Sequence, residues 1–426
     1  MVKKIPNELK FFICIQIFLI FTITAPFAQS TSFRGIILFV DVLIVFLSMM
    51  LGYIRNISRV YITVFLYAIF LSVFYFYSQY GEAQEIIILF IVLIKFLFFN
   101  SVLNEEVIKY TFKVLVVFSI FNLILSIFEI IFEKNYFLFL FSKKYIEEIQ
   151  ILNSRGEFYP RTSFEHTLIF SFVLIVTLPV FFILKKRLLS WTAVLVQLMI
   201  AFLVGKRTGM IISIFVIFLY MFIDYFSSHS VSSKRRKIIY ILLISVVFLI
   251  GIIFIEIDNE SLLSIIVNGL IDVTSQGTSL SLIHRINSIE IGTDVFLNSP
   301  LLGILFGNGF SFLINYYRSH DTIITVANFI VVDNSFFTFL TTFGVLNSVV
   351  FFSWIFCLFF KNFTIVKKID SSMRRTLIIT LSASIVYFID VFFFDLFGWY
   401  PALAFGVILI ALLNRSDIYI YKGDTF

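Results

Sequence analysis

The chain has 426 residues, of which 60% are apolar and only 14% charged, with a formal net charge of +6. Together with a strongly positive mean hydropathy, this composition excludes an ordinary water-soluble globule and predicts a polytopic membrane protein, residues 1–426 forming one integral domain. A hydrocarbon core about 30 Å thick asks for roughly 20 apolar residues per helix.

Apolar runs predict helices near 9–27, 35–54, 60–80, 85–100, 110–132, 164–184, 188–204, 208–226, 238–257, 335–360, 375–394 and 398–414. The runs are continuous rather than alternating, and lipid admits only helices and closed barrels. The expected fold class is therefore all-α, a polytopic membrane helical bundle of about 12 transmembrane helices. The first run follows Lys3, Lys4 and Lys10 as a signal peptide would. It is longer than a usual apolar core, and Ala25-Pro26-Phe27-Ala28 makes a poor cleavage site, so it reads as a membrane helix. Cys14 and Cys357 fall inside apolar runs and show no metal-ligand spacing. Lysine and arginine set the orientation. With a cytoplasmic N-terminus, 21 of them lie on the inner side and 10 on the outer, Lys95 inside a helix completing the total of 32. Both termini are then cytoplasmic, and two long inserts, 133–163 and 258–334, face outward. The basic cluster Lys234-Arg235-Arg236-Lys237 meets anionic headgroups in this frame and needs no nucleic acid.

Arg161, Arg207 and Arg285 lie at outer helix ends or in the outer insert, where topology does not ask for cations. A planar guanidinium fork donates two hydrogen bonds to phosphate oxygens, which suits a lipid-linked diphosphate at that depth. Lys206 and Arg207 sit in the tight hairpin Val204-Gly205-Lys206-Arg207-Thr208-Gly209, where a solvated turn would use the same residues. Over 281–298, Leu282, Ile286, Ile289 and Phe296 recur at helical spacing with Arg285, Ser288 and Gly292 on another face. This predicts an amphipathic helix lying in the interface, on which Arg285 is either a ligand or a polar-face residue. Pro300 and the glycines at 303, 307 and 309 then impose turns. Asp333-Asn334 precede the next apolar run, so they either cap its helix or place Asp333 to take a proton from a hydroxyl. His166 is open to the same two kinds of role: acid, base or phosphate donor, or interfacial histidine. Asp41, Glu129 and Asp390 map to the outer halves of their helices and predict an outward-open polar cavity, with Arg34 or the outer arginines as partners. Lys95, toward the inner half of its helix, is expected to snorkel.

Taken in order, several segments resemble the superfamily of O-antigen ligases and O-antigen and capsular polysaccharide polymerases. They are Lys206-Arg207-Thr208-Gly209 opening a helix, an Arg at the start of the amphipathic outer helix, and Asn298-Ser299-Pro300-Leu301-Leu302-Gly303 with its Gly-Asn-Gly turn. Asp333-Asn334-Ser335-Phe336-Phe337 follows, with Gly344 ten residues after Asn334. Arg161-Thr162-Ser163-Phe164-Glu165-His166 resembles the family's Arg-containing segment ahead of its middle helices. The resemblance implies a metal-independent, inverting lipid-carrier glycosyltransferase without cofactor, moving glycan from undecaprenyl diphosphate to a sugar hydroxyl at the outer face of the cytoplasmic membrane. It implies that Arg207 and Arg285 hold the diphosphate with Lys206 and Arg161 beside them, that Asp333 activates the acceptor, and that His166, Asn334 and His284 support it. The implied partners are an undecaprenyl-diphosphate-linked oligosaccharide donor and acceptor, membrane lipid, a chain-length regulator and a flippase, with no nucleic acid. Asp333-Asn334 stands where many ligases carry His-Asn, which favours a polymerase of capsular, exopolysaccharide or O-antigen chains over a ligase to another acceptor. From a different class, a glycolipid flippase or transporter stays open; against it stand the lack of paired half-repeats and about 77 residues of outer insert.

Overall fold

A computed structural model of the chain describes residues 5–23, 30–55, 57, 59–76, 82, 86–141, 143–154, 158–204, 207–227, 256–257, 260–261, 280–320, 335–369, 371–391 and 399–419. Among these the structure is all-helical apart from one two-residue antiparallel pair, Glu256–Ile257 with Glu260–Ser261. In chain order the helices are α1 (Asn7–Thr22), α2 (Thr31–Met50), α3 (Arg59–Phe76), α4 (Ile86–Val102), α5 (Glu105–Phe132), α6 (Lys143–Ser154), α7 (Thr167–Thr177), α8 (Arg187–Leu203) and α9 (Arg207–Ser227). The second half holds α10 (Leu280–Leu297), α11 (Leu301–Phe306), α12 (Phe312–Ser319), α13 (Ser335–Val366), α14 (Ser371–Asp390) and α15 (Tyr400–Asn414).

Three of them, α2, α5 and α13, are long and apolar enough to cross a membrane, and shorter apolar helices accompany them. Their outer faces are apolar: Phe39, Met50, Val60, Val117, Ile131, Val350 and Phe360 are all exposed. Such a surface fits a membrane helical protein, because water would not leave so much hydrocarbon uncovered. The predicted run 238–257 lies outside the described residues except for its last two.

Local chemistry explains where the helices begin and break. The Ser30 hydroxyl caps α2 by accepting from the Phe33 amide at 3.4 Å, and the Asn104 side chain caps α5 by accepting from Val107 at 3.0 Å, with Glu105 and Glu106 at the positive end of the helix dipole. The run expected at 164–184 is not one helix. Pro179 removes an amide, and the chain tightens into a 3-10 segment over Leu178–Ile183. The run from Ser335 breaks at Gly344, whose φ of 76° and ψ of 174° lie outside any helix. The insert 133–163 carries α6, a short helix with Ile149 buried, inside what reads as a loop from sequence.

Helix α4 is the axis of the first half, packed along α2 on one side and α15 on the other, while α14 packs on α7, α9 and α15. At the centre lies a buried polar cluster. The Lys95 ammonium is 2.8 Å from Asp41 Oδ1 and also donates to Gln16 Oε1; Gln16 Nε2 donates to the same Asp41 oxygen at 2.7 Å, and the Tyr400 ring lies 5.3 Å from the ammonium. Lys95 therefore does not snorkel. A carboxylate within reach neutralises it where it stands, and Asp41 takes Lys95 and Gln16 as partners instead of Arg34 or an outer arginine.

Candidate functional site

The segment Pro300–Phe310 and the helix that begins at Ser335 are joined by backbone. Because Gly344 breaks α13, the carbonyls of Thr341 and Thr342, which a continuous helix would direct to Val345 and Leu346, accept instead from Asn308 N at 2.8 Å and Gly309 N at 3.2 Å. Gly307, at φ 93°, touches this break so closely that a Cβ there would lie 2.0 Å from the Thr342 carbonyl oxygen. Side chains tie the turn further. Asn308 Nδ2 donates to Ser299 Oγ at 3.2 Å, and Tyr75 from α3 donates to the Phe306 carbonyl at 3.1 Å while its ring meets Phe310 edge-on. Glu82 donates its amide to the Phe310 carbonyl and accepts from Asn315 Nδ2, both at 3.1 Å. A helix is present as α10 where the sequence predicts an amphipathic one, and it too packs on α13, but with Gly292 of the expected polar face against Phe337 and Ile289 of the expected apolar face exposed. A small second core of Val295, Phe312, Leu313 and Tyr317 holds α10 and α12 together.

The structure thus brings together the Arg285 helix, the Gly-Asn-Gly turn and the helix that follows Asp333-Asn334. Arg285 and His284 are placed on α10, but their side chains lie outside the description; Lys206, Asp333 and Asn334 lie outside the described residues altogether. Arg207 opens α9, and its side chain is likewise outside the description. Two residues on, Gly209 packs on α7 so tightly that a Cβ would meet the Ser171 hydroxyl at 2.1 Å. The start of α9 is thereby set beside α7, the helix that His166 caps.

No protein-family model matches this chain, and no curated protein matches it.

Arg161 and His166 belong to a second construction at the end of α5. The Glu129 carboxylate accepts from the amides of Arg161 at 2.9 Å, Thr162 at 2.8 Å and Tyr136 at 3.2 Å. One buried side chain so closes both ends of the insert 133–163 at its base, and Thr162 holds a left-handed φ of 51° to present its amide. The Arg161 guanidinium is only 1% exposed and donates to the Glu165 carbonyl at 3.0 Å and the Glu148 carboxylate at 3.1 Å. His166 Nδ1 accepts from Leu168 N at 3.1 Å as the cap of α7, which leaves the proton of a neutral ring on Nε2, and its ring lies 6.0 Å from that of Trp399. Glu148 carries no signal in sequence that would pair it with Arg161, since that link is made by the fold of the insert, whereas Glu165 meets Arg161 locally through its backbone carbonyl.

Glu129→Gln is expected to destabilise the protein by about 1–3 kcal/mol, because an amide has one accepting oxygen and its NH2 would face a backbone N–H that the second carboxylate oxygen accepts from. Thermal unfolding of the purified protein in detergent, with protease sensitivity of the 133–163 segment, checks this. Unchanged values on both would remove Glu129 from that role.

Proposed function

We propose that the protein is a polysaccharide polymerase, an inverting lipid-carrier glycosyltransferase with both termini in the cytoplasm and its site at the outer face of the cytoplasmic membrane. It transfers glycan from undecaprenyl diphosphate onto a sugar hydroxyl of a lipid-linked repeat unit. What supports this function above all is that two segments carrying the motif resemblance, α10 and the Gly307-Asn308-Gly309 turn, pack on α13, the helix that opens directly after the third, Asp333-Asn334.

In this function Asp333 takes the proton of the acceptor hydroxyl, whose oxygen then bonds to the anomeric carbon. The bond from that carbon to the diphosphate breaks on the opposite face, and the electron pair leaves with undecaprenyl diphosphate. Arg285 and Arg207, with Lys206 beside them, hold the leaving group and stabilise the charge developing on it. Arg161, whose donors are engaged on Glu148 and Glu165, positions the segment bearing His166. His284 and Asn334 flank the two reacting groups in sequence and complete the acceptor side.

Arg285→Ala is expected to lower polymer formation by about 10²–10³-fold, the scale of losing one charge-stabilising donor. Lipid-linked single repeats should accumulate at the outer leaflet, which labelling of intact cells reads directly. Repeats trapped at the inner leaflet would indicate a flippase; full-length polymer on carrier lipid, not passed to its acceptor, would indicate a ligase.

A further inference from the structure

Helix α5 is 28 residues long, about 42 Å at 1.5 Å per residue, and so exceeds a hydrocarbon core of about 30 Å by about two turns. Its outward face shows where the excess lies. Lys109 and Lys113 come first, and from Val117 onward the exposed residues are apolar: Phe121, Ile124, Phe128, Ile131 and Phe132. The exposed Lys113 therefore marks the border between headgroups and hydrocarbon. Lys109 is neutralised by Glu105 at 2.6 Å and Glu106 at 3.6 Å, whereas Lys113 makes no ion pair among the described residues.

Level with Lys113, a groove of about 520 Å³ runs between α1 and α5, lined by Cys14, Phe18, Tyr110, Lys113, Val117 and Phe118. Cys14 Sγ and the Tyr110 hydroxyl, 3.1 Å apart, close its headgroup end, and the Phe18 and Phe118 rings, 6.1 Å apart, close its hydrocarbon end. An apolar groove with an unneutralised ammonium in its wall has the chemistry of a phospholipid site: hydrocarbon for a chain, one positive charge for a phosphate.

We infer that the α1–α5 cleft is a binding site for an anionic glycerophospholipid, one acyl chain lying between Phe18 and Val117 and the headgroup phosphate on Lys113. This rests on the membrane placement of α5 and is independent of the transferase function. The site is separate from the polar cluster at Lys95, which is buried inside the bundle.

Native mass spectrometry of the full chain, delipidated in detergent and offered phosphatidylglycerol or phosphatidylethanolamine, tests it. Wild type should retain one phosphatidylglycerol with about a fivefold preference, the scale of one lysine near an anionic headgroup. Lys113→Gln should abolish the preference while a lipid still binds, and Val117→Trp should fill the cleft and remove the bound lipid of either kind. An undiminished preference in Lys113→Gln, or an unchanged lipid count in Val117→Trp with a normal thermal transition, would overturn the assignment.

Discussion

Replacing Lys95 by alanine is expected to cost about 3–5 kcal/mol of stability, the scale of breaking a buried ion pair by removing one partner. Asp41, 1% exposed, would keep only Gln16, and Oδ2 of Asp41 is already without a hydrogen bond among the described residues. The effect should reach beyond α4, because the cluster joins α1, α2 and α4 and sets the ammonium against the Tyr400 ring at the head of α15. A triple change, Gln16→Leu with Asp41→Leu and Lys95→Met, should recover most of the loss, since apolar replacement of a whole buried pair is often neutral or stabilising. Thermal unfolding in detergent distinguishes these outcomes. A single variant within about 1 kcal/mol of wild type, or a triple variant worse than the single one, would show that the cluster does not hold these helices.

The second large effect belongs to Gly307→Ala. The new Cβ would be driven against the Thr342 carbonyl at a backbone φ of 93°, and neither partner is a side chain that can swing away. Left-handed strain of about 1–3 kcal/mol adds to an overpacking cost of similar size, so undocking of the α10–α12 insert from α13 is expected. Gly344→Ala should do the same from the other side, its Cβ lying 2.4 Å from the Gly307 amide nitrogen. Gly35→Ala is the matched control. Nothing lies within 4 Å of its Cβ, and in a helix it should be neutral or stabilising by up to about 1 kcal/mol. Limited proteolysis within 280–320 and polymer yield should both change for the first two variants and for neither readout in the control; intact docking in Gly307→Ala would mean that the turn is not what seats the insert.

These two sites also separate what each level of description carries. The helices were legible in sequence because each apolar run is a local property: a continuous stretch of hydrocarbon has to be helical in lipid wherever its neighbours are. Helix α10 was legible as a helix from the spacing of Leu282, Ile286 and Ile289, but its packed face was not, since Val295 and Phe296 are buried while Ile289 is exposed. The caps at Ser30 and Asn104 involve partners only three residues away, yet the apolar runs place those helix starts later, at 35 and 110. Helix α6 was less legible, being short, polar and set in an insert.

Pairing across the bundle left no such trace. Gln16, Asp41 and Lys95 stand 25 and 54 residues apart, each looking like an isolated polar residue in an apolar run, and nothing periodic links them. Nor did Gly344 announce a break, since a glycine inside an apolar run is ordinarily tolerated; its φ is decided by Gly307 and Asn308 arriving from another segment. Arg161 reads as an open cation from sequence and is enclosed in the fold because Glu129 folds its segment back. By itself, then, the sequence determined an all-helical chain with apolar helices fit for a membrane, and the residue types those helices carry. Which of those residues meet was decided only in three dimensions, where burial makes an unpaired charge or backbone group too costly to leave alone.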